Sequence, residues 1–66
     1  MVNGNKIKEL IEKQGKSLRG IAPSVGVSES MMSYIVNGLK EPSVAVLVRI
    51  AKELGCSVDD LIKEVD

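Results

Sequence analysis

Four times along the chain, a glycine able to end a helix is followed by a serine able to begin the next: Gly15 and Ser17, Gly26 and Ser28, Gly38 and Ser43, Gly55 and Ser57. Glycine enters the left-handed conformation that closes a helix at little cost, and a serine hydroxyl accepts from the free amides of a first turn. Between these signals the apolar residues recur at helical spacing. Ile7, Leu10 and Ile11 mark a first helix over residues 5–14, with Asn5 as its cap. Leu18, Ile21, Ala22 and Val25 mark a second after Ser17, and Met31, Met32, Ile35 and Val36 a third after Ser28, closed by Asn37-Gly38. Pro42 cannot continue a helix from upstream, so Ser43 opens a fourth that carries Val44, Leu47, Val48, Ile50, Ala51 and Leu54. Residues 43–50 also have strand propensity through their valines, but length and caps favour a helix. Ser57 and Asp60 have capping-box spacing and open a fifth helix with Val58, Leu61, Ile62 and Val65. The pattern predicts an all-α, compact five-helix bundle, a single domain over residues 1–66 with the fourth helix at its centre.

A chain of 66 residues has room for one small core and removes only about 60% of its unfolded surface from water. With 44% hydrophobic and 27% charged residues it has a globular composition. Cys56 is the only cysteine and histidine is absent, which excludes an internal disulfide and a multi-thiolate zinc site. The usual general base and the commonest metal ligand are missing too, and no catalytic triad or phosphate-cradling glycine loop is present. The expectation is a protein that is not an enzyme, needs no cofactor or metal, and uses Cys56 as a small buried hydrophobe. No apolar run approaches the roughly 20 residues of a bilayer span, and Met1 to Lys6 lacks a signal-peptide layout. A cytoplasmic location without a membrane partner is expected.

The formal net charge of zero conceals an uneven layout. Lys6, Lys8, Lys13, Lys16, Arg19 and Lys40 outnumber Glu9, Glu12 and Glu29 in the first forty residues. Beyond them Glu41, Glu53, Asp59, Asp60, Glu64 and Asp66 outnumber Arg49, Lys52 and Lys63. A positive half of this kind can approach a polyanion while the acidic half points away; scattered, solvated helix charge would give the same count.

The stretch from Ser17 to Gly38, with Ala22, Gly26, Met32 and Ile35 at their mutual spacing, resembles the helix-turn-helix of the phage Cro and cI repressor family, also called the Xre family. Ala22 fits a close helix crossing, Gly26 fits a turn that needs positive φ, and Met32 and Ile35 fit the face that packs back on the second helix. The similarity continues through Asn37-Gly38-Leu39-Lys40-Glu41-Pro42-Ser43, Ile50-Ala51, Leu54-Gly55 and Ser57 to Leu61, so it covers essentially the whole chain. It implies a lambda-repressor-like domain whose second and third helices form the motif, the third lying in the major groove of double-stranded DNA. On this resemblance Ser28, Glu29, Ser30, Ser33 and Tyr34 face the groove, with Asn37 and Lys40 beside phosphates. Arg19 and the amides near Ser17, at the start of the second helix, are candidates for further phosphate contacts, the alternative for Arg19 and Lys40 being solvated surface charge. Glu29 has two readings, acceptor from cytosine N4 or first-turn carboxylate favoured by the helix dipole, whereas Ser28 is first a cap. Tyr34, with Met32, Ile35 and Val36 defining the inward side, is expected to be exposed.

Several positions depart from the family pattern. Leu18 occupies the place of a glutamine that in many relatives touches phosphate and braces the reading helix. Ile11 and Val36 replace a common ion pair between the first and third helices, and swapping both charges for hydrophobes is physically coherent. Pro23 removes a backbone donor within the second helix, so a kink or local irregularity is expected there. The implied function is sequence-specific transcriptional regulation of phage, mobile-element or bacterial-operon repressor type. A homodimer on two half-sites would use the C-terminal helix. The alternative is a protein-interaction or antitoxin-like module that keeps the fold without reading bases.

Overall fold

The computed structural model describes residues 1–63. Side-chain oxygens start every α-helix. Asn3 Oδ1 accepts from the Lys6 amide at 3.1 Å and begins α1, Gly4–Lys13. The expected cap, Asn5, lies inside that helix, because the chain turns helical before the first apolar residue. Ser17 Oγ accepts from the Gly20 amide at 3.0 Å to begin α2, Leu18–Val25. Ser28 Oγ takes the Met31 amide at 3.0 Å and Ser43 Oγ the Val46 amide at 3.2 Å, beginning α3, Glu29–Val36, and α4, Val44–Leu54. Each such bond satisfies one of the amides that a helix start leaves without a partner.

α2 runs unbroken through Pro23. The irregularity expected at this residue does not interrupt the helix. Pro23 lies in its last turn, and the carbonyl deprived of an amide belongs to Arg19; both residues are exposed, so water can replace the missing donor. The Gly26 amide then closes the helix on the carbonyls of Ala22 and Pro23, at 2.9 and 3.2 Å.

The fifth helix does not form, and the described residues contain four α-helices. Ser57 and Asp60 do make the reciprocal capping pair: Asp60 Oδ2 accepts from the Ser57 amide at 3.1 Å, and Ser57 Oγ from the Asp60 amide at 3.2 Å. It opens only a 3-10 turn, Asp59–Leu61. Ile62 is extended and forms an antiparallel bridge with Val2, flanked by bonds from the Asn3 amide to the Leu61 carbonyl (2.7 Å) and from the Lys63 amide to the Met1 carbonyl (2.8 Å). Pairing with the N-terminal segment supplies the hydrogen bonds that another helical turn would have made. Of the apolar face assigned to a dimer, Leu61 is buried in the core, Val58 is half-buried, Ile62 is exposed, and Val65 lies outside the described residues. The helical surface proposed for a second copy is therefore absent among the described residues.

Inside, α2 packs on α3 and α4, while α1 packs on α3 and the final turn. Ile7, Val25, Met32, Ile35, Ile50 and Leu61 are fully buried, each large side chain contributing about 1.5–3 kcal/mol through removal from water. Ile11 and Val36 are buried as an apolar pair of positions, as their chemistry requires. The apolar face of α4 is narrower than its valines suggest: Ile50, Ala51 and Leu54 are buried, Leu47 is half-buried, and Val44 and Val48 are exposed. The carbonyl end of α4 is closed by the α1–α2 loop, where Gln14 Nε2 donates to the Leu54 carbonyl at 2.7 Å and Lys16 Nζ to the Glu53 carbonyl at 3.0 Å. Cys56 is half-buried against the core, and burial, with Asp60 second, pushes its thiol up from the ordinary range.

Gly4 marks the tightest approach of α1 to α3. A Cβ there would stand 2.8 Å from the Ile35 carbonyl oxygen and collide with that of Val36, and neither can move without shifting α3. Gly4→Ala is therefore expected to destabilise the fold by about 2 kcal/mol or more. Gly15→Ala, with open space around the new methyl and only a positive φ to strain it, should cost about 1 kcal/mol. Urea midpoints rank the two variants, and equal losses would contradict the close approach.

Hydrogen bonding to the Ser57 amide first, and to the Ser57 side chain second, holds the Asp60 carboxyl below the ordinary aspartate range. A carboxylate with a lowered folded-state pKa stabilises the fold while ionised, and that contribution is lost as pH falls through its folded value. Melting curves from neutral to strongly acidic pH should thus show a steeper loss for the native chain than for Asp60→Asn. Parallel curves would disprove the contribution.

Candidate nucleic-acid interface

The inward faces of α2 and α3 fix what the outward face of α3 can present. Ala22, Val25, Met32 and Ile35 are buried between and beneath the two helices. The turn joining them passes through Gly26 at φ 87°, a conformation costly for residues with a Cβ. Arg49 of α4 comes over this turn, its Nη1 donating to the Val25 carbonyl at 3.5 Å, and a Cβ on Gly26 would lie 2.6 Å from that nitrogen. The backbone conformation favours glycine here, whereas the Arg49 guanidinium, at the end of a flexible exposed side chain, can move aside. With one side of α3 committed to the core, residues 29, 30, 33, 34 and 37 follow one another along the other side at helical spacing.

Glu29, Ser30, Tyr34, Asn37 and Lys40 are exposed, as are Ser17, Arg19 and Ser28; Ser33 is half-buried. All nine expected site residues thus reach the surface. Their polar atoms differ in availability. The hydroxyls of Ser17 and Ser28 are occupied as helix caps. Asn37 Nδ2 donates back to the Ser33 carbonyl at 2.9 Å and lies 3.4 Å from its hydroxyl, which ties both residues to the helix end. Ser30 Oγ and the Tyr34 hydroxyl have no hydrogen-bond partner among the described residues and can turn toward a ligand.

Charge frames this surface at both ends. Arg19 Nε lies 3.4 Å from Glu29 Oε1, with both side chains largely in solvent. Lys40 Nζ stands 5.6 Å from the centroid of the Tyr34 ring, within cation–π range. The Leu39 and Lys40 amides both donate to the Tyr34 carbonyl, at 2.8 and 3.3 Å, so the backbone carrying Lys40 is fastened to the last turn of α3. Two cations accompany one carboxylate along an edge of neutral donors and acceptors. Such an edge can accept hydrogen bonds from bases, donate to them, and neutralise phosphates.

Two neighbouring features had no signal in the sequence pattern. Leu39, next to Lys40 in the chain, is 70% exposed, and Val44, at the start of α4, is 78% exposed. Val44 fits the periodicity of a buried face, so its spacing carried no warning. Glu41 accepts from the Val2 amide through both carboxylate oxygens, at 3.0 and 3.3 Å, a contact across the chain that no local motif announces. Among the described residues no cluster of His, Cys, Asp and Glu is suited to hold a metal ion, and no helix is long and apolar enough to cross a membrane.

A family model described as helix-turn-helix matches residues 7–61. The N-terminal DNA-binding domain of SinR from Bacillus subtilis is 34% identical, with a TM-score of 0.83 over 92% of this chain and 90% of that one. SinR crystallised in complex with DNA is 33% identical, with a TM-score of 0.82 over 89% of this chain and 98% of that one. The clp gene regulator ClgR from Corynebacterium glutamicum is 32% identical at a TM-score of 0.82; the match takes in 86% of this chain but only 61% of ClgR. No curated protein sequence matches the chain. The family match over residues 7–61, on a fold in which Gly26 joins two packed helices, identifies the chain as a member of the Cro/cI-type helix-turn-helix family.

Proposed function

We propose that the chain binds double-stranded DNA as a sequence-specific transcriptional regulator, of the repressor type found in phages, mobile elements and bacterial operons, and reads the major groove with α3. The observation that carries this reading is the outward edge of α3. It is polar and largely exposed, with Arg19 paired to Glu29 at its start and Lys40 over Tyr34 at its end, and in this reading both cations meet the duplex backbone. The relatives known as regulators, SinR crystallised with DNA among them, support it.

In this reading Ser30 and Tyr34 both contact bases, because their hydroxyls are uncommitted. The Tyr34 ring adds an apolar face suited to a thymine methyl. Ser28 and Ser33 approach the groove but serve first to fix the helix. Arg19, Lys40, Asn37 and the amides near Ser17 meet phosphates, which position the protein without selecting sequence. The runner-up is a protein-interaction module, favoured by the exposed apolar side chain of Leu39, whose amide donates to the Tyr34 carbonyl at the end of the same helix.

Selection from random duplexes, followed by titration of the selected site across salt concentrations, separates the two. The native chain is expected to enrich a defined sequence, with log affinity falling linearly as log salt rises. Ser30→Glu combined with Tyr34→Glu should weaken the selected duplex about a hundredfold, by adding like charge against the polyanion and removing both contacts, while far-ultraviolet circular dichroism stays unchanged. Undiminished binding by that variant would move the assignment to the interaction module.

A further inference from the structure

We propose that Arg19 and Glu29 work as one specificity device: Arg19 is a positioning residue that holds the Glu29 carboxylate at the reading edge, where it selects a cytosine. This inference rests on the reading of α3 as the groove-facing helix and names a base preference within it.

Arg19 projects from the first turn of α2 and Glu29 from the first residue of α3, so the pair spans the two halves of the motif. Their single contact, Nε to Oε1 at 3.4 Å, joins side chains that are 86% and 54% exposed. A contact so open to water adds little to stability, and the pair is thus poorly explained as a structural tie. Its geometry suits a ligand better. Among the described residues Glu29 Oε2 and both terminal nitrogens of Arg19 have no hydrogen-bond partner. The guanidinium can commit one edge to the carboxylate and turn the other toward a phosphate.

A lone carboxylate brought into a groove between two rows of phosphates is repelled and can swing away into solvent. With Arg19 attached, the approaching group is close to neutral, and the loss of water on docking strengthens the attraction between the two. Held in that position, the ionised carboxylate can only accept, which demands an amine at the facing base edge. Cytosine meets the demand through N4. Guanine and thymine present acceptors there, and adenine places N7 beside its amine, so each of these sets an acceptor against the carboxylate.

The test uses the full chain and a selected duplex with all four bases substituted in turn at each position. The native protein should prefer cytosine about tenfold or more at one position, the scale of a single mismatched base pair. Glu29→Gln should abolish that preference. Arg19→Ala should reduce it several-fold at the same position while leaving preferences elsewhere in the site intact, and Arg19→Lys, which keeps a cationic donor for the carboxylate, should recover most of it. The double variant Arg19→Ala with Glu29→Gln should discriminate no worse than Glu29→Gln alone. Melting temperatures should hold throughout, as both side chains lie in solvent. If Arg19→Ala weakens every duplex uniformly and leaves the cytosine preference untouched, Arg19 is only a phosphate contact and the proposal is overturned. A preference that survives Glu29→Gln overturns it equally. Failure of the native chain to bind any duplex removes the groove-facing assignment of α3 itself, an outcome distinct from loss of coupling between two residues on a chain that binds.

Discussion

Burial of one side of α3 against α2 is the constraint on which the remaining architecture depends. Met32 and Ile35 are fully enclosed, and Ala22 is small enough to let the two helix axes approach. Once those side chains are inside, the orientation of α3 about its own axis is settled, and every residue half a turn away is delivered to solvent. The left-handed conformation at Gly26 sets the angle between the helices, and Arg49 reaches from α4 to cover that corner. α1 is secured in turn by Gly4, which has no side chain to hold it away from the carbonyl end of α3. A rigid presenting surface is therefore a by-product of core packing and requires no dedicated scaffold.

Much of this was legible in the residues because it is local. A serine hydroxyl reaching an amide three positions ahead, or a glycine closing the turn behind it, involves neighbours only, and the starts of α2, α3 and α4 agree with that reading. Even the Ser57–Asp60 pair takes its capping-box form. The backbone beyond that pair is decided by a distant partner. Val2 and Ile62 pair across almost the entire length of the chain, and no short window contains both. An amphipathic pattern at Val58, Leu61 and Ile62 describes which residues tolerate burial, but the extended segment at the other end determines the conformation they adopt. Val44 and Val48 show the same limit in another form, since periodicity marks apolar residues without revealing how far the neighbouring elements extend to cover them.

The candidate surface divides along similar lines. Residue types and spacing were sufficient to locate the outward edge of α3, because helical geometry converts a buried Met32 and Ile35 into an exposed Ser30 and Tyr34. They marked the Ser17 and Ser28 hydroxyls as caps, but they did not show how the polar groups at the end of the helix are tied together. Asn37 folds back on Ser33 and Lys40 stands over Tyr34, arrangements that depend on rotamers and on the curl of the chain after the helix. The ion pair between Arg19 and Glu29 was hidden for the same reason: the residues are ten positions apart, and only the angle imposed at Gly26 brings them together.

The short antiparallel junction of Met1–Asn3 with residues 61–63 also determines how the domain connects to anything beyond it. The Met1 carbonyl accepts from the Lys63 amide, so the first residue and the last described one are a single hydrogen bond apart. An extension joined ahead of Met1 would depart from the corner of the molecule that residue 63 also occupies, next to the loop in which Glu41 grips the Val2 amide. Tension applied between Met1 and Lys63 would load these bonds in sequence, like the teeth of a zipper, and would reach the helices only after the junction had opened.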